Sequence, residues 1–157
     1  MGHLPRDAAI KGSETINRVC REYSAKHDFH YFYSSWRVPW EQNIERMARC
    51  DVYIAACKPV LYGKLYGGGI EITDLEAAAL GLIVITHFTN SDLYEKEYGR
   101  HELLVANNEE QLRSCLDTVV AMTKEQRAEK MAATRTWVET YHSYEAVGNK
   151  LKGLLFC

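Results

Sequence analysis

Residues Glu71–Thr86, EITDLEAAALGLIVIT, decide the fold. The pattern predicts a helix around Thr73–Leu80 that stops at Gly81, since glycine takes the left-handed backbone of a helix C-terminus without steric cost. Leu82–Thr86 (LIVIT) follows as a strand with no polar alternation. A continuous apolar strand of this kind is covered on both faces, as in a parallel sheet. Outward from it the chain repeats the same alternation. Asp51–Ala55 (DVYIA) and Phe29–Tyr33 read as strands, and Leu103–Ala106 as a further short one. Ser13 caps a predicted helix with Ile16, Val19, Cys20 and Tyr23 on one face. Pro39 opens a second helix whose stripe is Ile44, Met47 and Ala48. From Asn108 onward the chain reads as helical. Thr123 and Gln126 form a capping box for a helix running to about Thr140, and Ser143 starts a last one. The expected fold class is α/β, a doubly wound parallel sheet with C-terminal helices. Ligands of such sheets sit beyond the carboxyl ends of the strands, which directs attention to loops 56–72 and 86–92.

Composition narrows the function classes. The 157 residues are 46% hydrophobic and 25% charged, which is globular usage and suits one domain over 1–157. Nineteen Lys and Arg oppose 21 Asp and Glu, a net charge of −2 that lacks the footprint of a nucleic-acid binder. The longest apolar run, Ala77–Ile85, is less than half of the ~20 residues a membrane span needs, so no transmembrane segment is expected. Met1-Gly2-His3 carries no secretory h-region and reads as native sequence or as a cloning remnant. Five cysteines (Cys20, Cys50, Cys57, Cys115 and Cys157) include no C-x-x-C pair, which predicts reduced thiols in a cytoplasmic setting.

The chemistry-bearing residues each admit two readings. Gly67-Gly68-Gly69 either forms a flexible loop or lets the backbone approach a phosphate ahead of a helix N-terminus. Glu76 is either the partner of Thr73 in a capping box, or a ligand-facing carboxylate that accepts from the vicinal hydroxyls of a ribose. Arg6 and Lys11 are solvated surface charges or a pair that needs an anion between them. His87 ends the LIVIT strand, where ligand contacts occur, whereas His27 and His30 read as surface or packing residues. Trp36, Trp40 and Tyr62 read mostly as core, with a surface that faces another domain as the alternative. No Asp-x-Asp pair, Walker A sequence or G-x-S-x-G is present, so metal-held nucleotide sugars, P-loop chemistry and serine hydrolysis lack their usual residues.

Three segments together resemble the C-terminal, nucleotide-sugar-binding domain of retaining GT-B glycosyltransferases, especially family 4. EITDLEAAALGLIVIT is similar to the family's EAMA-x-G-x-PVI run, with Glu76 at the second glutamate of its Glu-x7-Glu motif. His3–Ser13 (HLPRDAAIKGS) resembles the Arg-x4-Lys-Gly phosphate clamp, and Trp137–Ser143 (WVETYHS) the close of these chains. The resemblance implies that Arg6 and Lys11 neutralise the donor diphosphate and act catalytically by stabilising that leaving group. It implies a substrate-binding set of Glu76 on the ribose, with Gly67, Gly68, Gly69, Glu71 and Thr73 around the donor. Retaining transfer without a bound metal or any cofactor is implied as well. The partners would be a nucleotide sugar and an N-terminal acceptor-binding domain, from which this domain is excised; alone it would transfer little. The whole enzyme would be cytoplasmic or at the inner face of a membrane.

Two positions depart from the family. Gly68 stands where the first motif glutamate belongs, and His87-Phe-Thr-Asn90-Ser91 replaces a Gly-Gly-Glu stretch. The strand that should lead into Arg6 is also not evident. A catalytically degenerate glycosyltransferase-like partner subunit is therefore a second reading, and an unrelated flavodoxin-like binding module a third.

Overall fold

The computed structural model describes residues 1–57, 60–61, 64–65 and 68–155. Strands β1 (Gly2–His3), β2 (Phe32–Tyr33), β3 (Val52–Ile54), β6 (Ile83–Thr86) and β7 (Leu104–Val105) form one sheet in the order β2-β1-β3-β6-β7. Every pairing in it is parallel. A separate antiparallel pair joins β4 (Val60–Leu61) to β5 (Lys64–Leu65). The helices are α1 (Ser13–Ser24), α2 (Trp40–Met47), α3 (Ile72–Ala79), α4 (Ser91–Tyr98), α5 (Glu109–Ala121), α6 (Lys124–His142) and α7 (Tyr144–Leu155). The fold is α/β and doubly wound, as the sequence predicts. Its sheet order, renumbered along the sheet strands, is 2-1-3-4-5, the order of flavodoxin-like sheets, with the reversal between β1 and β3.

Strand alternation divides the core. Val52, Ile54, Ile83 and Ile85 face α1 and α5, where Ile16, Val19, Leu112 and Leu116 meet them. Tyr53 and Val84 face the other way, against Met47, Ala77, Ala78, Trp137 and Val138 of α2, α3 and α6. All four residues of β6 are buried, which is why LIVIT shows no alternation. Gly81, at φ 76°, closes α3: its N–H donates to the Ala78 carbonyl and the Leu82 N–H to Ala77, so the last helical carbonyls are satisfied. The Thr123–Gln126 box forms as predicted, and the Ser143 hydroxyl accepts from the Ala146 amide at the start of α7.

Several expectations are corrected. The second strand is only Phe32–Tyr33, because Phe29 and Tyr31 pack beside the core ahead of it. Gly12, left-handed at φ 68°, caps α1 in place of Ser13, whose hydroxyl is used elsewhere. Pro39 is the N-cap of α2 and Ala48, its exposed C-cap, lies off the stripe. Trp36 and Trp40 are 80% and 61% exposed, not core residues. Tyr62 and Cys157 lie outside the described residues. Cys20, Cys50 and Cys115 are free thiols and buried, and Cys57 is buried as well. No described helix is long and apolar enough to cross a membrane.

The N-terminal tripeptide supplies the strand that leads to Arg6. Gly2 packs so closely on Cys50 that a Cβ would come within 2.5 Å of its Sγ. His3 is fully buried, and its Nδ1–H donates to the Ile54 carbonyl at 2.7 Å. Because that carbonyl can only accept, Nε2 is the bare nitrogen and takes the Ser13 hydroxyl proton at 2.7 Å. Burial, more than the Lys11 charge, pulls the imidazole pKa down to about 4, against the pull of the Ile54 carbonyl. Between the ordinary 6.5 and about 4 the unfolded chain takes up a proton that the folded chain refuses. The stability tied to His3 is thus whole above that window and is lost as the pH falls through it. Urea unfolding of the wild type should lose about 2 kcal/mol more than His3→Gln on going from about pH 7 to about pH 4.5. Parallel losses in the two proteins would remove this role for His3.

Candidate functional site

The loop after β1 is shaped by its own side chains. The Asp7 carboxylate accepts from the Ala9 and Ile10 amides at 3.0 and 3.2 Å, and folds residues 7–12 into a tight turn. The Lys11 carbonyl accepts from the Cys57 N–H at 3.1 Å, which ties the turn to the end of β3. Arg6 and Lys11 are thereby carried to the carboxyl ends of β1 and β3, where the strand order reverses.

A hollow of about 470 Å³ opens there. Arg6, Lys11, Thr73 and Glu76 line it, together with Trp36, Arg37, Trp40 and Tyr53. The volume is within the range of small-molecule sites, roughly 300–1,000 Å³. A second hollow of about 760 Å³ shares Arg6, Lys11 and Arg37 and adds Asp7, Gly69 and Glu71. The structure thus brings together Arg6, Lys11, Thr73 and Glu76, with Glu71 and Gly69 alongside. Gly67 lies outside the described residues. Gly68 is buried at φ 125°, and a Cβ there would run into the Thr89 hydroxyl, so any side chain at position 68 would be strained and would force Thr89 to shift. His87 is buried, neither ring nitrogen has a hydrogen-bond partner among the described residues, burial lowers its pKa, and it lines neither hollow.

The capping-box reading of Glu76 is overturned. Helix α3 begins with Glu71 as its N-cap, and the Glu71 N–H donates to Asp74 Oδ2 at 2.8 Å. Thr73 is inside the first turn and leaves Glu76 free of the helix start. Instead Glu76 Oε1 accepts from the indole N–H of Trp40 at 2.6 Å, across 36 residues of chain. Trp40, Trp36 and Arg37 are the residues that sequence reasoning missed. Their signal was position: residues 34–39 follow β2 at the same carboxyl edge and end in Pro39.

Electrostatics at the site are layered. Lys11 pairs with Glu71, the two side chains being only 16% and 29% exposed. Burial lowers the Lys11 pKa, and Asp74 behind it raises it. Arg6 and Arg37 make no ion pair among the described residues. Asp74 is fully buried, with Oδ1 lacking a partner in hydrogen-bond geometry among the described residues. Burial pushes its carboxyl up to about 7, against the pull of the Thr86 hydroxyl and of Lys11. No group of three metal-ligating side chains occurs among the described residues. No family model matches the chain, and no curated protein matches it.

The raised Asp74 pKa has the opposite sign to His3. Between 3.8 and about 7 the folded state keeps a proton that the unfolded chain has released. Stability from this residue is therefore complete below that window and is lost as the pH rises through it. Asp74→Asn should gain about 2–3 kcal/mol relative to wild type between about pH 5 and about pH 8.5 in chemical denaturation. A variant that tracks the wild type over that range would show the carboxylate to be charged throughout.

Proposed function

We propose that the chain is the donor-binding domain of a retaining GT-B glycosyltransferase, taking a nucleoside diphosphate sugar. The observation that carries this reading is the placement of Arg6, Lys11 and Glu76 around one hollow at the β1/β3 switch point. A diphosphate asks for two or three cations, which Arg6, Lys11 and Arg37 supply. A ribose asks for a hydroxyl acceptor, which Glu76 supplies through the oxygen that Trp40 does not hold. A base asks for a flat apolar surface, and the exposed rings of Trp36 and Trp40 stand at the rim.

In transfer, the bond between the anomeric carbon and the β-phosphate oxygen breaks and its electron pair leaves with the diphosphate, while an acceptor hydroxyl bonds to that carbon on the same face and passes its proton to the departing phosphate oxygen. Arg6 and Lys11 stabilise that growing charge without moving. Loss of one such preorganised donor typically costs about 2.7–4 kcal/mol of barrier. The acceptor would come from an N-terminal domain, and the exposed Trp36 and Ile72 offer surface for it. The buried free thiols of Cys20, Cys50 and Cys115 accord with a cytoplasmic setting.

A second reading, a catalytically degenerate partner domain, is favoured by Gly68. Its backbone disfavours the carboxylate that the resemblance expects on the transferred sugar. The two readings share donor binding and differ in turnover by a longer parent chain. The flavodoxin-like strand order is compatible with a third, a binding module whose ligand has no diphosphate.

A uridine or guanosine diphosphate sugar at about ten times its Kd should raise Tm by about 3–5 °C. Lys11→Ala should weaken diphosphate binding about tenfold or more and leave nucleoside binding nearly unchanged. A folded sample indifferent to every nucleoside diphosphate, or a variant that weakens both ligands equally, would count against donor binding here.

A further inference from the structure

We propose that Glu71 is a built-in counter-ion, whose carboxylate occupies on Lys11 the place of an anionic ligand group, so that anions enter by displacing it. The inference rests on the reading of the hollow as an anion site given above, and it makes residue 71 the determinant of how much charge the site accepts.

The argument begins with burial. Lys11 and Glu71 form the ion pair least open to solvent around the two hollows, at 16% and 29% side-chain exposure. Screening by water is weak there, so the pair is held more firmly than an exposed one. Removing one partner of such a pair leaves the other desolvated and uncompensated. A phosphate arriving at Lys11 therefore meets a carboxylate already in position, and two anions cannot share one ammonium without mutual repulsion. Arg6 and Arg37 flank the pair without carboxylate partners among the described residues, so the hollow keeps positive charge to attract an anion even while Lys11 is occupied.

The remaining acids do not replace Glu71. The Asp7 carboxylate is committed to the Ala9 and Ile10 amides, and Glu76, one oxygen of which accepts from Trp40, is not the carboxylate paired with Lys11. Asp74 sits behind the helix start and lines neither hollow. It does hold the Glu71 backbone, by accepting its N–H at 2.8 Å. The Glu71 carboxylate also belongs to this capping box, toward the Asp74 N–H, so an anion that displaces it from Lys11 meets a helix start still held by the Asp74 half of the box.

Inorganic pyrophosphate, titrated calorimetrically at low ionic strength, tests this on wild type, Glu71→Ser and Glu71→Gln. Serine keeps a side chain able to cap α3. Both variants should bind pyrophosphate at least about tenfold tighter than wild type. Without ligand their Tm should fall, since Lys11 loses its partner, and saturating pyrophosphate should raise it by more than it raises the wild type's. In the wild type, the carboxyl carbon resonance of Glu71 should shift on pyrophosphate saturation as the side chain leaves Lys11. Equal affinity in wild type and variants, or a Glu71 resonance that does not move while pyrophosphate binds, would overturn the counter-ion and leave the anion site standing. If no folded form binds pyrophosphate at millimolar concentration, the anion site itself fails and the counter-ion with it.

Discussion

A neutral imidazole in the middle of the sheet is the interaction on which the rest of the architecture depends. His3 bridges β1, the end of β3 and the first turn of α1 through two 2.7 Å hydrogen bonds. Each partner is a group that would otherwise be buried and unpaired, so loss of the ring strands a carbonyl and a hydroxyl together. The geometry also has a directional effect. With β1 fixed beside β3 and α1 fixed beyond Gly12, residues 4–12 have little choice of path, and Arg6 and Lys11 emerge at the carboxyl edge. A two-residue strand could not hold this position on its own ladder bonds alone. The side chain supplies what strand length does not.

Charge at that edge is arranged in depth. Exposed arginines stand at the rim, a half-buried lysine–glutamate pair lies below, and a fully buried aspartic acid lies behind. The deeper a group sits, the more its environment opposes ionisation, which is why Asp74 titrates near neutrality while the rim stays cationic. Helix α3 begins in the middle of this gradient. Its positive end faces the same hollow as the cations, which adds to the attraction for anions near its first turn. Glu71 uses that attraction in the free protein, and a phosphate would use it in a complex.

Much of the scaffold was legible because its signals are local. Ile83–Ile85 between Gly81 and His87 announces a buried strand, and the left-handed Gly81 a helix end, in any context. Other features were illegible because distant partners decide them. Thr123-x-x-Gln126 and Thr73-x-x-Glu76 are the same pattern, yet only the first closes as a box. The second fails because α3 starts earlier, at Glu71, and because an indole from α2 takes the Glu76 carboxylate. Trp36 and Trp40 read as core by hydrophobicity alone, whereas the path of residues 34–40 leaves them at the rim. Helix α4 buries none of its residues and so carries no apolar periodicity to detect. The N-terminal tripeptide is too short to show any period at all. At the site, Arg6, Lys11 and Glu76 were found by motif spacing. Their neighbours Arg37 and Trp40 belong to no motif and needed three dimensions.

The placement of the three tryptophans has a practical consequence. Trp137, on the inner face of α6, is sealed in the core, while Trp36 and Trp40 stand in water at the mouth of the hollow. Emission from the sealed indole is a constant background, and emission from the other two reports on their surroundings. Because one of them donates its N–H to the Glu76 carboxylate, any molecule that binds this carboxylate sits against a chromophore. The protein carries its own optical gauge of occupancy, with an internal reference, and needs no attached dye.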